Sequence, residues 1–136
     1  MPGVNINYLA VLVCGIISMI TGSLWYGPVL GKAWIKETGK TEEELMEGFN
    51  PVRAYLLAFL GQSVMALVLA YFLSLVSAST IVDGIRVSLA SWAGFVGATM
   101  LVNSLFSRRS VKLFLIDGGY HFLNLLVFGI ILVIWK

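Results

Sequence analysis

Charge is what this sequence has least of. Only 12% of its 136 residues are Asp, Glu, Lys or Arg, where ordinary soluble domains carry about a quarter. At this length a soluble fold could not hide the 59% of residues that are hydrophobic, and the mean hydropathy of +0.92 excludes that class. The lone cysteine, Cys14, rules out an intrachain disulfide. One Cys and one His, His121, cannot furnish a protein-only metal shell, so neither metal nor cofactor is expected. The net charge of +2 sits mostly on loops and gives no dense basic face for a nucleic acid. No Lys or Arg precedes Lys32, and the first apolar run ends in Trp25-Tyr26. It therefore lacks the basic start and small-residue cleavage site of a signal peptide, and is expected to remain as a helix.

Long apolar runs are what the chain has in place of charge. Four of them approach or exceed the ~20 residues needed to cross a bilayer. They predict spans over about 8–26, 52–76, 81–106 and 112–135. The expected architecture is all-α, a four-helix transmembrane bundle forming one integral domain over residues 1–136, with loop one (27–51) carrying short interfacial helices. Within that loop, Val29, Leu30, Ala33 and Trp34 recur at helical spacing, predicting a helix over Pro28–Thr38. Thr41 followed by Glu44 is a capping-box pattern opening a second short helix. Asn50-Pro51 supplies an N-cap and a first-turn proline for the second span. The tight Ser77–Thr80 link makes spans two and three antiparallel neighbours.

Small residues mark where helices can approach. Gly15, Ser18 and Gly22 do so on the first span, and Ala90, Gly94 and Ala98 form a stripe on the third. Those faces predict a homo-oligomer, with a dimer favoured. Asp83 and Arg86, three residues apart, are placed to pair near the start of span three. Basic residues set the orientation. Lys32, Lys36, Lys40, Arg53, Arg108, Arg109 and Lys112 flank loops one and three, while only Arg86 and Lys136 lie toward the other side. Positive-inside reasoning puts both long loops in the cytoplasm and both termini outside.

The last span, Val111 to Lys136, carries the chemistry. Asp117, His121 and Asn124 interrupt its apolar run, and spacings of four and seven place them on one stripe with Tyr120 at its edge. A carboxylate or imidazole facing lipid would cost several kcal/mol, so the stripe is expected to face other helices or water. Asp117 lies about 7 Å beyond Lys112 along the helix axis and His121 about 13 Å. Trp25, Tyr26 and Asn103 fall at a similar depth on other spans. The pattern predicts a loop-facing vestibule floored by Asp117, Tyr120 and His121, with Asn124 bonding between helices. Lys32, Arg108, Arg109 and Lys112 would ring it and attract anionic headgroups or substrates. Burial disfavours the charged form of both Asp117 and His121 while their mutual attraction favours it. The two are thus poised either as structural glue, bonded to each other, Tyr26 or Asn103, or as a coupled proton-handling pair.

Several segments resemble one family. Leu24-Trp25-Tyr26-Gly27-Pro28 followed by Gly31-Lys32-Ala33-Trp34 is similar to the loop-one signature of the bacterial membrane family called domain of unknown function 1761. Thr41-Glu42-Glu43, Leu101-Val102-Asn103 and the run from Lys112 to His121 through Asp117-Gly118-Gly119-Tyr120 resemble it too, in the same order. The resemblance implies a small four-span protein of the bacterial inner membrane and no established activity.

Three functional readings follow. The first is a small transporter or a protein binding a small molecule or lipid, with a cytoplasm-facing pocket using Asp117 and His121. The second is a structural or lipid-organising partner. The third, a membrane-embedded lipid enzyme, has least behind it: no nucleophile–base pair is legible and no catalytic residue is assigned.

Overall fold

The computed structural model describes residues 4–136, and among them every regular element is a helix. α1 (Tyr8–Leu24) is capped by Asn7, whose carboxamide oxygen accepts from the Ala10 amide at 3.1 Å. A wide π-type turn, Trp25–Val29, then carries the chain round a kink at Gly27 (φ −102°, ψ −106°) just before Pro28. α2 (Gly31–Thr38) ends at Gly39 in the left-handed conformation that helix termini favour (φ 72°). α3 (Glu42–Met46) opens with the expected capping box between Thr41 and Glu44. α4 (Pro51–Leu75) is capped by Asn50. The third span is α5 (Ile81–Ser91), a π-type turn at Trp92–Gly97, and α6 (Ala98–Phe106). α7 (Val111–Ile134) closes the chain, capped by Ser110.

Four helical stretches are long and apolar enough to cross a membrane: Tyr8–Val29, Pro51–Leu75, Ile81–Phe106 and Val111–Ile134. Their packing is inverted relative to a soluble protein. Leu9, Leu12, Ile16, Ile20 and Leu24 of α1 point outward, as do Leu56, Leu57, Leu60, Val64 and Val68 of α4. Ser18, Gln62, Ser88, Ser104 and Asn124 are buried between helices. In water that outer face would be untenable over such an area; in hydrocarbon it is the solvated one.

α7 is the hub. It packs against α1, α4 and α5, and 44% of its most apolar stretch is buried, against 28% for the first two spans and 11% for the third. Two close approaches set the bundle. Where α5 meets α7, a Cβ added at Gly129 would overlap Ser88 Oγ and come within 2.7 Å of the Gly84 carbonyl oxygen. Where α1 meets α4, a Cβ at Gly15 would overlap Ser63 Oγ. Without side chains at these points the helices interlock closely, the main driving force for association where apolar burial gives none. Around them Ala10, Cys14, Ala66, Leu69, Leu125 and Phe128 fill the middle of the bundle.

The third span's small stripe of Ala90, Gly94 and Ala98 is exposed, and Gly84 and Ser88 make the close approach to α7. One expectation for this span is corrected. Asp83 does not form an ion pair with Arg86. Its Oδ2 accepts from the Ser79 and Thr80 amides at 3.1 and 3.2 Å, since a carboxylate at the third helical position reaches the free N–H groups of its own helix start more directly than a guanidinium along the helix.

Candidate functional site

The polar residues of α7 lie along its contacts with α1 and α4, at the end of the bundle where loop one folds over. Asp117 is held by two groups. Tyr26 Oη donates to its Oδ1 at 2.6 Å, and Arg109 Nη2 approaches Oδ2 at 3.4 Å. The carboxylate side chain is 16% exposed. Tyr26 reaches it because the π-type turn widens the end of α1 before the Gly27 kink. A Cβ added at Gly31 would come within 2.5 Å of the Tyr26 carbonyl oxygen, so α2 starts tightly against this turn.

Next to Asp117, the Gly118-Gly119 pair seats two indole rings. Trp25 Nε1 donates to the Ile116 carbonyl at 2.9 Å, and a Cβ at Gly119 would press to 3.1 Å from that ring. From the third span, Trp92 Nε1 donates to the Gly118 carbonyl, also at 2.9 Å. Each indole uses the second lone pair of a helical carbonyl, which satisfies an N–H that hydrocarbon could not. Gly119 thus makes room for the Trp25 ring, whereas a Cβ at Gly118 would lie in ordinary contact with Trp92, at 3.6 Å.

Deeper in, Tyr120 Oη donates to the Ser18 carbonyl at 2.8 Å above Gly22, where a Cβ would come within 2.9 Å of that oxygen. Asn124 is fully buried, and its Oδ1 accepts from Thr21 Oγ1 at 2.6 Å. His121 lies on the α4 side, with Nδ1 3.4 Å from Gln62 Nε2. Gln62 Oε1, Ser63 Oγ and Asn124 Nδ2 are buried without hydrogen-bond partners.

Asp117 and His121 are thus not bonded to each other. They share a face of α7, but Asp117 turns to Tyr26 of the α1 turn and His121 to Gln62 of α4. The direct hydrogen-bonded path from Asp117 ends at Tyr26, since the next phenol, Tyr120, directs its proton to a backbone carbonyl. The two phenol rings still meet edge to face, centroids 5.3 Å apart. Asn103 stays outside. It is exposed on α6, while its neighbour Ser104, about 100° further round the helix, is the buried residue there.

The basic ring divides in two. Arg109 pairs with Asp117, and Lys112 Nζ lies 3.8 Å from Glu37 Oε1. Lys32 and Arg108 are exposed, Arg108 in the left-handed conformation (φ 58°) at the end of α6. Glu37 also accepts from Ser110 Oγ at 2.9 Å, so it clasps α2 to the start of α7. Glu37 and Gln62 make contacts here without standing among the sequence's site candidates. Gln62 was legible as a polar residue inside a span, whereas Glu37 carried no signal beyond its charge.

Above Asp117, loop one borders an open cavity of about 590 Å³ lined by Tyr26, Trp34, Ile35, Glu42, Leu45, Met46 and Asp117. Trp34 meets Tyr26 edge to face, centroids 5.8 Å apart.

Four apolar helices with their polar groups turned inward define a multi-pass helical membrane protein. Within that class, the model of the protein family of unknown function DUF1761 matches residues 9–133, and the chain belongs to that family. No curated protein and no solved structure matches it.

Proposed function

We propose that this chain is a ligand-binding membrane protein, a small transporter in form, whose loop-one cavity faces the cytoplasm and presents Asp117 as its recognition group. The observation that supports this most is the position of that carboxylate. It is recessed within a span, oriented by a phenol, and yet lines a cavity of a size that takes small ligands. The basic residues gathered at loops one and three support this orientation, with both termini outside, and the family resemblance supports the bacterial inner membrane. Lys40→Cys should be labelled by a membrane-impermeant thiol reagent only from the cytoplasmic side, and labelling from the outer side would overturn this orientation.

The carboxylate itself is tested by Asp117→Asn, which keeps the shape and an acceptor for Tyr26. Native mass spectrometry of protein released from bilayer discs should show a small-molecule adduct on the parent chain and its loss in the variant, with the melting temperature changed little. Equal adducts on both proteins would end this reading. A second reading has its own observation: both carboxylate oxygens already have protein partners, as structural glue would. It expects the same substitution to lower stability or assembly and nothing else.

A further inference from the structure

We infer that the loop-one cavity takes a monovalent organic cation with apolar bulk, such as a lipophilic amine or quaternary ammonium. This rests on the ligand-binding reading above and names its ligand class. The charged residues lining the cavity are both carboxylates, Asp117 and Glu42, and no Lys or Arg lines it. Its other walls are two aromatic rings, Tyr26 and Trp34, with Ile35, Leu45 and Met46. Aromatic rings beside carboxylates are the chemistry that recognises an ammonium centre. The aliphatic walls suit the hydrocarbon such a cation carries. With Arg109 already beside Asp117, a polyamine would bring more positive charge than the two carboxylates leave unmet, and an anion would meet two like charges.

Arg109 is the competitor. It is the cation that Asp117 now holds, at 3.4 Å, longer than a strong charge-assisted bond, and its side chain is 46% exposed. A ligand cation would approach from the cavity, which Arg109 does not line, and share the same carboxylate. Removing Arg109 should therefore strengthen binding. A purely structural role for this ion pair predicts no such gain.

The test is equilibrium dialysis of purified protein in phosphatidylglycerol discs against labelled tetraphenylphosphonium, with tetraphenylborate as the anion of matched shape. Saturable binding of the cation is expected, weakened about tenfold or more by Asp117→Asn and by Trp34→Ala. Trp34→Phe should restore most of it, and Arg109→Ala should tighten it several-fold. Glu42→Gln, at an exposed position that cannot unfold the bundle, should weaken binding a few-fold. Adding phosphatidylethanolamine to the discs separates the sources. Competition assigns the site to a lipid headgroup ammonium, and its absence assigns it to a free amine. Cation binding unchanged across these variants would overturn the inference. Tetraphenylborate bound with the same sensitivity to Trp34 would overturn the cation assignment and leave the ligand-binding reading standing. Binding of neither probe, with no adduct in the mass spectra, would remove both.

Discussion

Asp117 shows how a single side chain is made tolerable within a span. A lone carboxylate in hydrocarbon is expensive, and here it receives one phenol proton and one guanidinium. His121 solves the same problem with an amide from α4. The spacing of these residues on α7 is plain in the sequence. Their choice of partners is not, because Tyr26 and Gln62 lie 91 and 59 residues away. Backbone conformation at single residues has consequences too. Ser77, just past the α4 cap at Val76, has φ 53°, and the Ala78 amide bonds back to the Leu73 carbonyl at 2.9 Å, a helix terminus that normally uses glycine. Ser77→Gly should relieve that strain and raise unfolding stability by about 1 kcal/mol. Reversible unfolding in mixed micelles would measure it, and a loss of stability would show that the serine side chain matters more than its backbone.

Helix packing is governed by absent side chains. Gly84 and Gly129 let α5 and α7 touch backbone to backbone, with Ser88 lying over Gly129. Gly129→Ala would force a methyl against the Gly84 carbonyl, which cannot move without displacing its helix. The expected cost is about 1–3 kcal/mol or more. Gly61→Ala makes the control, since a Cβ there meets nothing within 4 Å, and alanine is the better helix former. A melting temperature lowered by Gly129→Ala but held by Gly61→Ala would bear out the interlock. Equal effects would mean that helix propensity alone is being read. The small-xxx-small signal was legible on several spans, but which stripe faces inward was not. Sequence favours Ala90, Gly94 and Ala98 on spacing alone, while the bundle uses Gly84 and Ser88.

At the scale of the whole molecule, that outward stripe remains unspent. The third span is the least buried of the four, and a Cβ at Gly94 would meet nothing within 4 Å. We propose that a second copy packs there, as small-residue faces do between membrane helices. Gly94→Leu should then lower the dimer fraction in bilayers, read by energy transfer between labelled copies, without changing the monomer's melting. An unchanged dimer fraction would exclude this face, and a monomeric parent chain would exclude the oligomer altogether.

The sequence by itself determined the class, the four spans and most helix ends. Hydrocarbon demands long uninterrupted apolar runs, and Asn50-Pro51, Thr41-Glu44 and Gly39 act on their own neighbours within a turn. It also marked α7 as the carrier of the polar stripe, because periodicity is local. Tertiary structure alone decided that Asp117 and His121 part company, that Glu37 clasps loop one to α7, that two indoles occupy the Gly118-Gly119 step, and that Asn103 faces outward. Each of these depends on how helices rotate and approach one another. That rotation is set by the summed fit of many distant side chains, which no short stretch of the chain contains.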